Sequence, residues 1–287
     1  GLVALVDGLL DRLEEKGEAD LIEDFAAAIP IEVIGNLFDM PRDERGPLRD
    51  WSLAILGALE PTLTKAQEDA GNQAVERFTD YLRDLVARRR ARPGDPETDV
   101  LTRLMQSDEG GGLSEAELLQ NCVFILNAGH ETTTNLIGNA LHELHEHPEE
   151  LARLQADHKL LPRAVEEALR FQSSNQLGNR MTTAEVAFHG ETLAAGTRVH
   201  LCIGAANRDP RQFPDPDRFD ISRQPNRHLA FAGGPHTCVG FTLARMEGRV
   251  AVGRFVERFP DYRLLPGAVR GGRLRFRGFA RLPARVA

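Results

Sequence analysis

Apolar residues recur at helical spacing through the first two-thirds of the chain. Leu2, Leu5, Val6, Leu9, Leu10 and Leu13 form one stripe, as an amphipathic helix requires. The pattern predicts a second helix from about Asp20 to Phe38, before Pro41, and a third from Glu44 to Leu59, ended by Glu60-Pro61. A long fourth helix over Lys65 to Arg90 is closed by Pro93-Gly94-Asp95-Pro96, and a short one fits Val100 to Gln106. After the Gly110-Gly111-Gly112 loop, Ser114 and Glu117 have capping-box spacing. The helix they start runs to about Glu146, before Pro148, a length of roughly 48 Å that would cross a whole domain. Two more helices fit Pro148 to Asp157 and Pro162 to Gln172.

Beyond Ser173 the grammar changes. Short β-like runs alternate with glycine turns from Arg180 to Val199. Residues 207–237 are rich in Pro, Asp, Arg and Gly, too long a stretch for a casual connection. A last helix fits Val239 to Arg258, followed by strands to the C-terminus. No internal repeat or linker interrupts the chain, so the expectation is one domain over residues 1–287, mainly α with a small β part (α+β).

Charge and cysteine content narrow the function classes. The net charge of −8 argues against nucleic acid as a partner, because phosphate binding needs a concentrated positive field. Two basic clusters, Arg88 to Arg92 and Arg270 to Arg281, read as solvated faces, the second as a strand alternating with Leu274 and Phe276. No apolar run is long enough to span a membrane. Three cysteines give no disulfide framework and suit a reducing compartment. Cys122 and Cys202 sit in apolar runs and read as small buried hydrophobes.

Cys238 is different. It follows Phe231-Ala232-Gly233-Gly234-Pro235-His236-Thr237, where two glycines and a proline allow a tight turn, and it immediately precedes a helix. Free N–H groups there favour a thiolate, which serves as nucleophile or metal ligand. An isolated cysteine at a helix start is more often structural. Zinc is disfavoured without a second Cys or paired His, whereas a cysteine protease with a distant His and Asn stays open on spacing alone.

The positions Phe231, Gly234, His236, Cys238 and Gly240 match the pattern Phe-x-x-Gly-x-His-x-Cys-x-Gly, which resembles the haem-binding loop of the cytochrome P-450 family. Ala232 stands where bacterial members commonly carry glycine. Two further segments are similar to the family. Glu167-Ala168-Leu169-Arg170 looks like its Glu-x-x-Arg pair, whose third member falls to Arg223, with Arg218 as the alternative. Ala128-Gly129-His130-Glu131-Thr132-Thr133 looks like its oxygen-activation motif. A glycine and three hydroxyl residues are poor choices inside a helix, and the expectation is a local distortion of the i→i−4 ladder. Asn207-Arg208-Asp209-Pro210 and Asp215 to Asp220 extend the likeness to soluble bacterial members.

The resemblance implies a P-450 fold lacking the family's N-terminal portion, in keeping with a chain that begins at Gly1 inside an amphipathic pattern. It implies a monooxygenase, a cytoplasmic monomer that takes dioxygen, a small hydrophobic organic substrate, and electrons from a ferredoxin with its reductase or another separate donor. The cofactor is haem b (iron protoporphyrin IX), with the Cys238 thiolate on iron, Phe231 packed near the porphyrin and backbone N–H groups tuning the sulfur. Arg180 and His236 match propionate-binding positions, with His228 a weaker candidate. Thr132 would hydrogen-bond oxygen and Glu131 relay protons from solvent. Ala128, Asn127 and Ser174 to Leu177 match substrate-contacting positions. Glu167, Arg170 and Arg223 would hold the cysteine loop without reacting. The competing expectations are a peroxide-driven peroxygenase or isomerase, and an inactive haem-binding protein.

Overall fold

The computed structural model describes residues 1–106 and 112–286, so Gly110 and Gly111 of the expected glycine loop lie outside the described residues. The first stripe becomes α1 (Leu2–Lys16), which buries Val6, Leu9, Leu10 and Leu13. A short strand β1 (Glu18–Asp20) follows. The expected helix from Asp20 to Phe38 is in fact three pieces: the end of β1, a π-helical turn (Ile22–Ala26), and α2 (Ala28–Leu37). Pro30, near the start of α2, has no N–H to offer the Ala26 carbonyl, so a continuous α ladder cannot run through this point. The third helix is also shorter than expected: after a 3₁₀ turn, α3 spans Leu48–Gly57, starting after Gly46-Pro47 rather than at Glu44.

Two long helices obey their caps. In α4 (Lys65–Ala91), the Thr64 hydroxyl accepts the Gln67 N–H at 3.2 Å while Gln67 accepts the Thr64 N–H at 2.9 Å. The same reciprocal pair, Ser114 with Glu117, opens α6 (Glu115–Glu146) after the short α5 (Val100–Gln106). Helices α7 (Pro148–Ala156) and α8 (Leu161–Phe171) follow.

The β part is a set of small antiparallel pieces. β2 (Leu177–Met181) pairs with β5 (Arg198–Cys202), and β3 (Val186–Phe188) with β4 (Glu191–Leu193). A one-turn helix α9 (Ile203–Ala206) leads into the long irregular segment, and α10 spans Phe241–Arg258. At the C-terminus β9 (Pro283–Arg285) lies between β1 and β6 (Arg263–Leu264), while β7 (Val269–Arg270) pairs with β8 (Phe279–Arg281).

Residues 270–281 are therefore not one strand. Their backbone donors are drawn in other directions: the Leu274 N–H goes to the Glu60 carboxylate at 2.8 Å and the Arg277 N–H to the Ser174 carbonyl at 2.8 Å. The basic clusters are not simply solvated faces either. Arg89 is bound to Asp39 and Asp99 and is mostly buried, and Arg273 is ion-paired with Glu131.

Two buried apolar clusters share α6. One joins α1, α8, α10 and the C-terminal strands to the second half of α6; the other joins α2, α3, α4 and α5 to its first half. The long helix is thus the element on which both halves of the core are laid, as its length in the sequence suggested.

Candidate functional site

The cysteine loop is a sequence of tight turns. Ala232 has φ 56° and Gly234 φ 64°, both in the left-handed region. An alanine there costs about 1 kcal/mol relative to glycine. Gly234–His236 forms a 3₁₀ turn, closed by Thr237, whose N–H and hydroxyl both donate to the Gly234 carbonyl at 3.1 and 2.8 Å. The Cys238 N–H donates to the Phe231 carbonyl at 2.9 Å, folding the loop back on itself. Helix α10 then starts at Phe241, two residues later than the sequence pattern indicates.

This fold-back presents the Cys238 thiol at the surface. Val239 beside it is 94% exposed, and Leu229 and Phe241 are exposed as well. A second open apolar line runs along α6, where Phe124 (63% exposed), Ala128 and Thr132 fall four residues apart. A third apolar group, Leu201, is exposed on the β2–β5 pair on the same face as Arg180, while Met181 (64% exposed) lies on the opposite face. Arg180 on β2 and His236 in the loop are both exposed cationic or ionisable groups.

An exposed thiol, three uncovered apolar segments and two exposed basic side chains are the donor set that a flat apolar macrocycle with carboxylate arms and an axial metal requires. The residues present fit haem. Among the described residues no group of three His, Cys, Asp or Glu side chains could hold a bare metal ion.

The other cysteines divide. Cys122 is fully buried, and burial followed by the charge of Asp99 pushes its thiol up to about 12. Cys202, expected inside, is exposed: among the described residues β5 is paired with β2 alone, in a two-stranded sheet.

Along α6 the structure separates neighbours that the sequence sets side by side. The Thr132 hydroxyl lies on the open line and donates to the Ala128 carbonyl at 2.7 Å; Thr134 does the same to His130 at 3.0 Å. These back-bonds keep the hydroxyls within a regular helix, and the expected distortion of the ladder does not occur. Glu131 points elsewhere, only 8% exposed and ion-paired with Arg273. Burial raises its carboxyl, against the opposing charge and hydrogen bond of Arg273. The buried His130 ring meets Ser52 at 3.0 Å and is pushed down to about 3, by burial first and then by the charges of Arg49 and Arg273. Asn127 is buried, its amide donating to the Val123 carbonyl at 2.7 Å. Ser174 is buried too, and Asn175 bridges to Phe276.

His228, the weaker propionate candidate, is turned away from solvent. Its Nε2 lies 3.0 Å from a Glu166 oxygen while Nδ1 accepts the Ala230 N–H at 3.3 Å, so both ring nitrogens are used internally.

Behind the loop, Glu167 and Arg170 are fully buried. Arg170 forms a two-pronged pair with Glu167 at 2.8 Å and donates to the carbonyls of Asn207, Pro216 and Arg218. Arg223 reaches Glu167 at 3.1 Å through its Nε, whereas Arg218 contributes only its backbone carbonyl. The Asp220 N–H and the Asn226 amide complete the shell of donors around Glu167.

Three groups escaped sequence reasoning: Arg273, Asn207 and the Glu166–Arg245 pair. Asn207 is wholly buried, donates to the Ser173 hydroxyl and accepts the Leu229 N–H, which ties the irregular segment to the end of α8. Its place in Asn207-Arg208-Asp209-Pro210 was the only available signal.

Comparison with known proteins identifies the family. The cytochrome P-450 family model matches residues 51–261. Cytochrome P-450 107B1 of Saccharopolyspora erythraea is 43% identical over 262 residues, covering 91% of this chain and 62% of that protein. The vitamin D(3) 25-hydroxylase of Pseudonocardia autotrophica is 39% identical, covering 93% and 64%. The crystal structure of P450BioI in complex with a hexadec-9Z-enoic acid-ligated acyl carrier protein superposes with a TM-score of 0.94 at 34% identity, over 100% of this chain and 73% of that one. This chain belongs to the cytochrome P-450 family, and its fold is the family's. It spans less than two thirds of the length of both curated relatives named here. No helix among the described residues is long and apolar enough to cross a membrane.

Proposed function

We propose that the protein is a haem-dependent monooxygenase, with the Cys238 thiolate as the protein ligand to iron. The carrying observation is the Cys238 thiol, exposed on a folded-back loop among uncovered apolar side chains. Bound haem supplies the redox chemistry, and its thiolate ligand favours O–O cleavage.

The chain's own residues bind, orient and manage protons. His236 and Arg180 hold the two carboxylate arms, and Phe231 packs beside the ring. Phe124 and Ala128 exclude water along α6, with Ala128 next to the substrate. Thr132 holds a proton at Oγ1 on the open line. Glu131, buried behind that line and ion-paired with Arg273, helps relay protons from solvent. Glu167, Arg170 and Arg223 keep the loop in register and take no part in the reaction.

The substrate is a small hydrophobic organic molecule, and a separate ferredoxin or other donor delivers electrons. Relatives named for hydroxylating vitamin D3 and 6-deoxyerythronolide B support the reaction class and leave the substrate open. The test is the absorption spectrum of the reduced, carbon monoxide-treated holoprotein. The red-shifted Soret band of thiolate ligation is expected, and Cys238→Ala should abolish it. A band that survives the substitution overturns the assignment.

A further inference from the structure

A second anchor joins α8 to the cysteine loop beside the Glu167 network, and it carries a charge. The Arg245 guanidinium on the first turns of α10 forms a two-pronged pair with Glu166, Nε at 2.7 Å and Nη2 at 2.8 Å. It lies over the Phe231 ring at 4.6 Å and near the Phe241 ring at 5.3 Å. Those two residues flank the sulfur in the chain: the Cys238 N–H is bound to the Phe231 carbonyl, and the Phe241 N–H approaches the Cys238 carbonyl at 3.4 Å. The cation therefore sits over both aromatic rings, one at each end of the loop. His228 shares the Glu166 Oε2 atom with the Arg245 Nη2 group.

The electrostatics agree with the geometry. Burial would raise the Glu166 carboxyl, yet hydrogen bonds from His228 and Arg245 and the charge of Arg245 outweigh it and hold it at about 2. Arg245 is raised, first by its hydrogen bond to Glu166 and then, against burial, by the charge of Glu166.

We propose that Arg245 is a positioning residue that sets the reduction potential of the iron held by Cys238, by fixing one positive charge against the two aromatic rings that bracket the cysteine loop, with Glu166 as its partial counterweight. This rests on the thiolate-ligated haem proposed above. Reduction adds one negative charge to the iron–thiolate centre, so a fixed cation nearby favours the reduced form. A fixed carboxylate opposes it.

The signs are opposite for the two partners, which a merely structural clamp would not produce. In potentiometric titrations of the holoprotein, Arg245→Gln should lower the potential by an amount equivalent to about a tenfold change in the reduced-to-oxidised ratio at fixed poise. That is roughly 59 mV for a one-electron couple. Glu166→Gln should raise it, and the double substitution should return it towards the starting value. Arg245→Lys, which keeps the charge, should move it by less than about twofold. Shifts of the same sign in both single variants, or none beyond about twofold, overturn the proposal. If Arg245→Gln does not retain haem, Glu166→Gln and Arg245→Lys decide the matter by the same signs. A wild-type protein without the red-shifted carbon monoxide band would instead sink the haem-thiolate reading itself.

Discussion

Glu247 lies on the buried face of α10, 2% exposed, with one carboxylate oxygen that meets no hydrogen-bond partner among the described residues. Burial alone pushes its carboxyl up to about 8. The folded chain therefore binds this proton more tightly than the unfolded chain, whose carboxyl titrates near 4.5. The associated stability is fully present below about pH 4.5 and is lost as pH rises through 8. Glu247→Gln should match wild type in denaturant unfolding at pH 4.5 and exceed it increasingly, by a few kcal/mol, up to about pH 8.5. A difference that stays flat with pH would rule out an ionising, unpaired Glu247.

Single residues differed in how legible they were. The spacing of Glu167 and Arg170 is visible because one helix places them on one face. Glu166 is adjacent, yet its partners His228 and Arg245 lie 62 and 79 residues away, and no local pattern reports such a pairing. Arg273 looked like one of several alternating cations, but its partner Glu131 is 142 residues distant.

At the scale of elements, helices with explicit caps were readable to the residue, as Ser114 with Glu117 at the start of α6 shows. The misreadings fall where the backbone's partners are distant. Nothing local tells that Leu274 and Arg277 donate to Glu60 and Ser174 instead of to a continuous ladder. Three consecutive threonines suggested a broken helix, although i−4 back-bonding satisfies two of their hydroxyls without breaking it.

Packing between α3 and α4 gives an element-scale prediction. A Cβ placed at Gly71 would overlap the Ala58 Cβ and come within 3.3 Å of the Ala54 carbonyl, so only glycine allows this close approach. Gly71→Val should cost about 1–3 kcal/mol and lower the thermal midpoint by several degrees, with helix content by circular dichroism little changed. Unaltered thermal stability would mean that the two helices are not in fact so closely packed.

Across the whole molecule, ion pairs of two kinds join distant parts of the chain, and their magnitudes differ. Arg258 reaches Asp11 and Glu14 from α10 to α1, but all three side chains are 40% exposed or more, so each pair contributes about 0–1 kcal/mol and is screened by salt. The Glu167–Arg170–Arg223 hub is shielded from water and draws the segment 207–226 onto α8. Removing Arg170 would leave a buried carboxylate short of a cation and the carbonyls of Asn207 and Pro216 without their donor. Arg170→Leu should therefore destabilise the chain by about 3–5 kcal/mol, largely independent of salt, whereas Arg258→Leu should cost less than about 1 kcal/mol and only at low salt. Urea unfolding of both variants at two salt concentrations separates the cases. Equal, salt-sensitive losses would show that the buried hub is no more than another surface pair, and that the cysteine loop is held by something else.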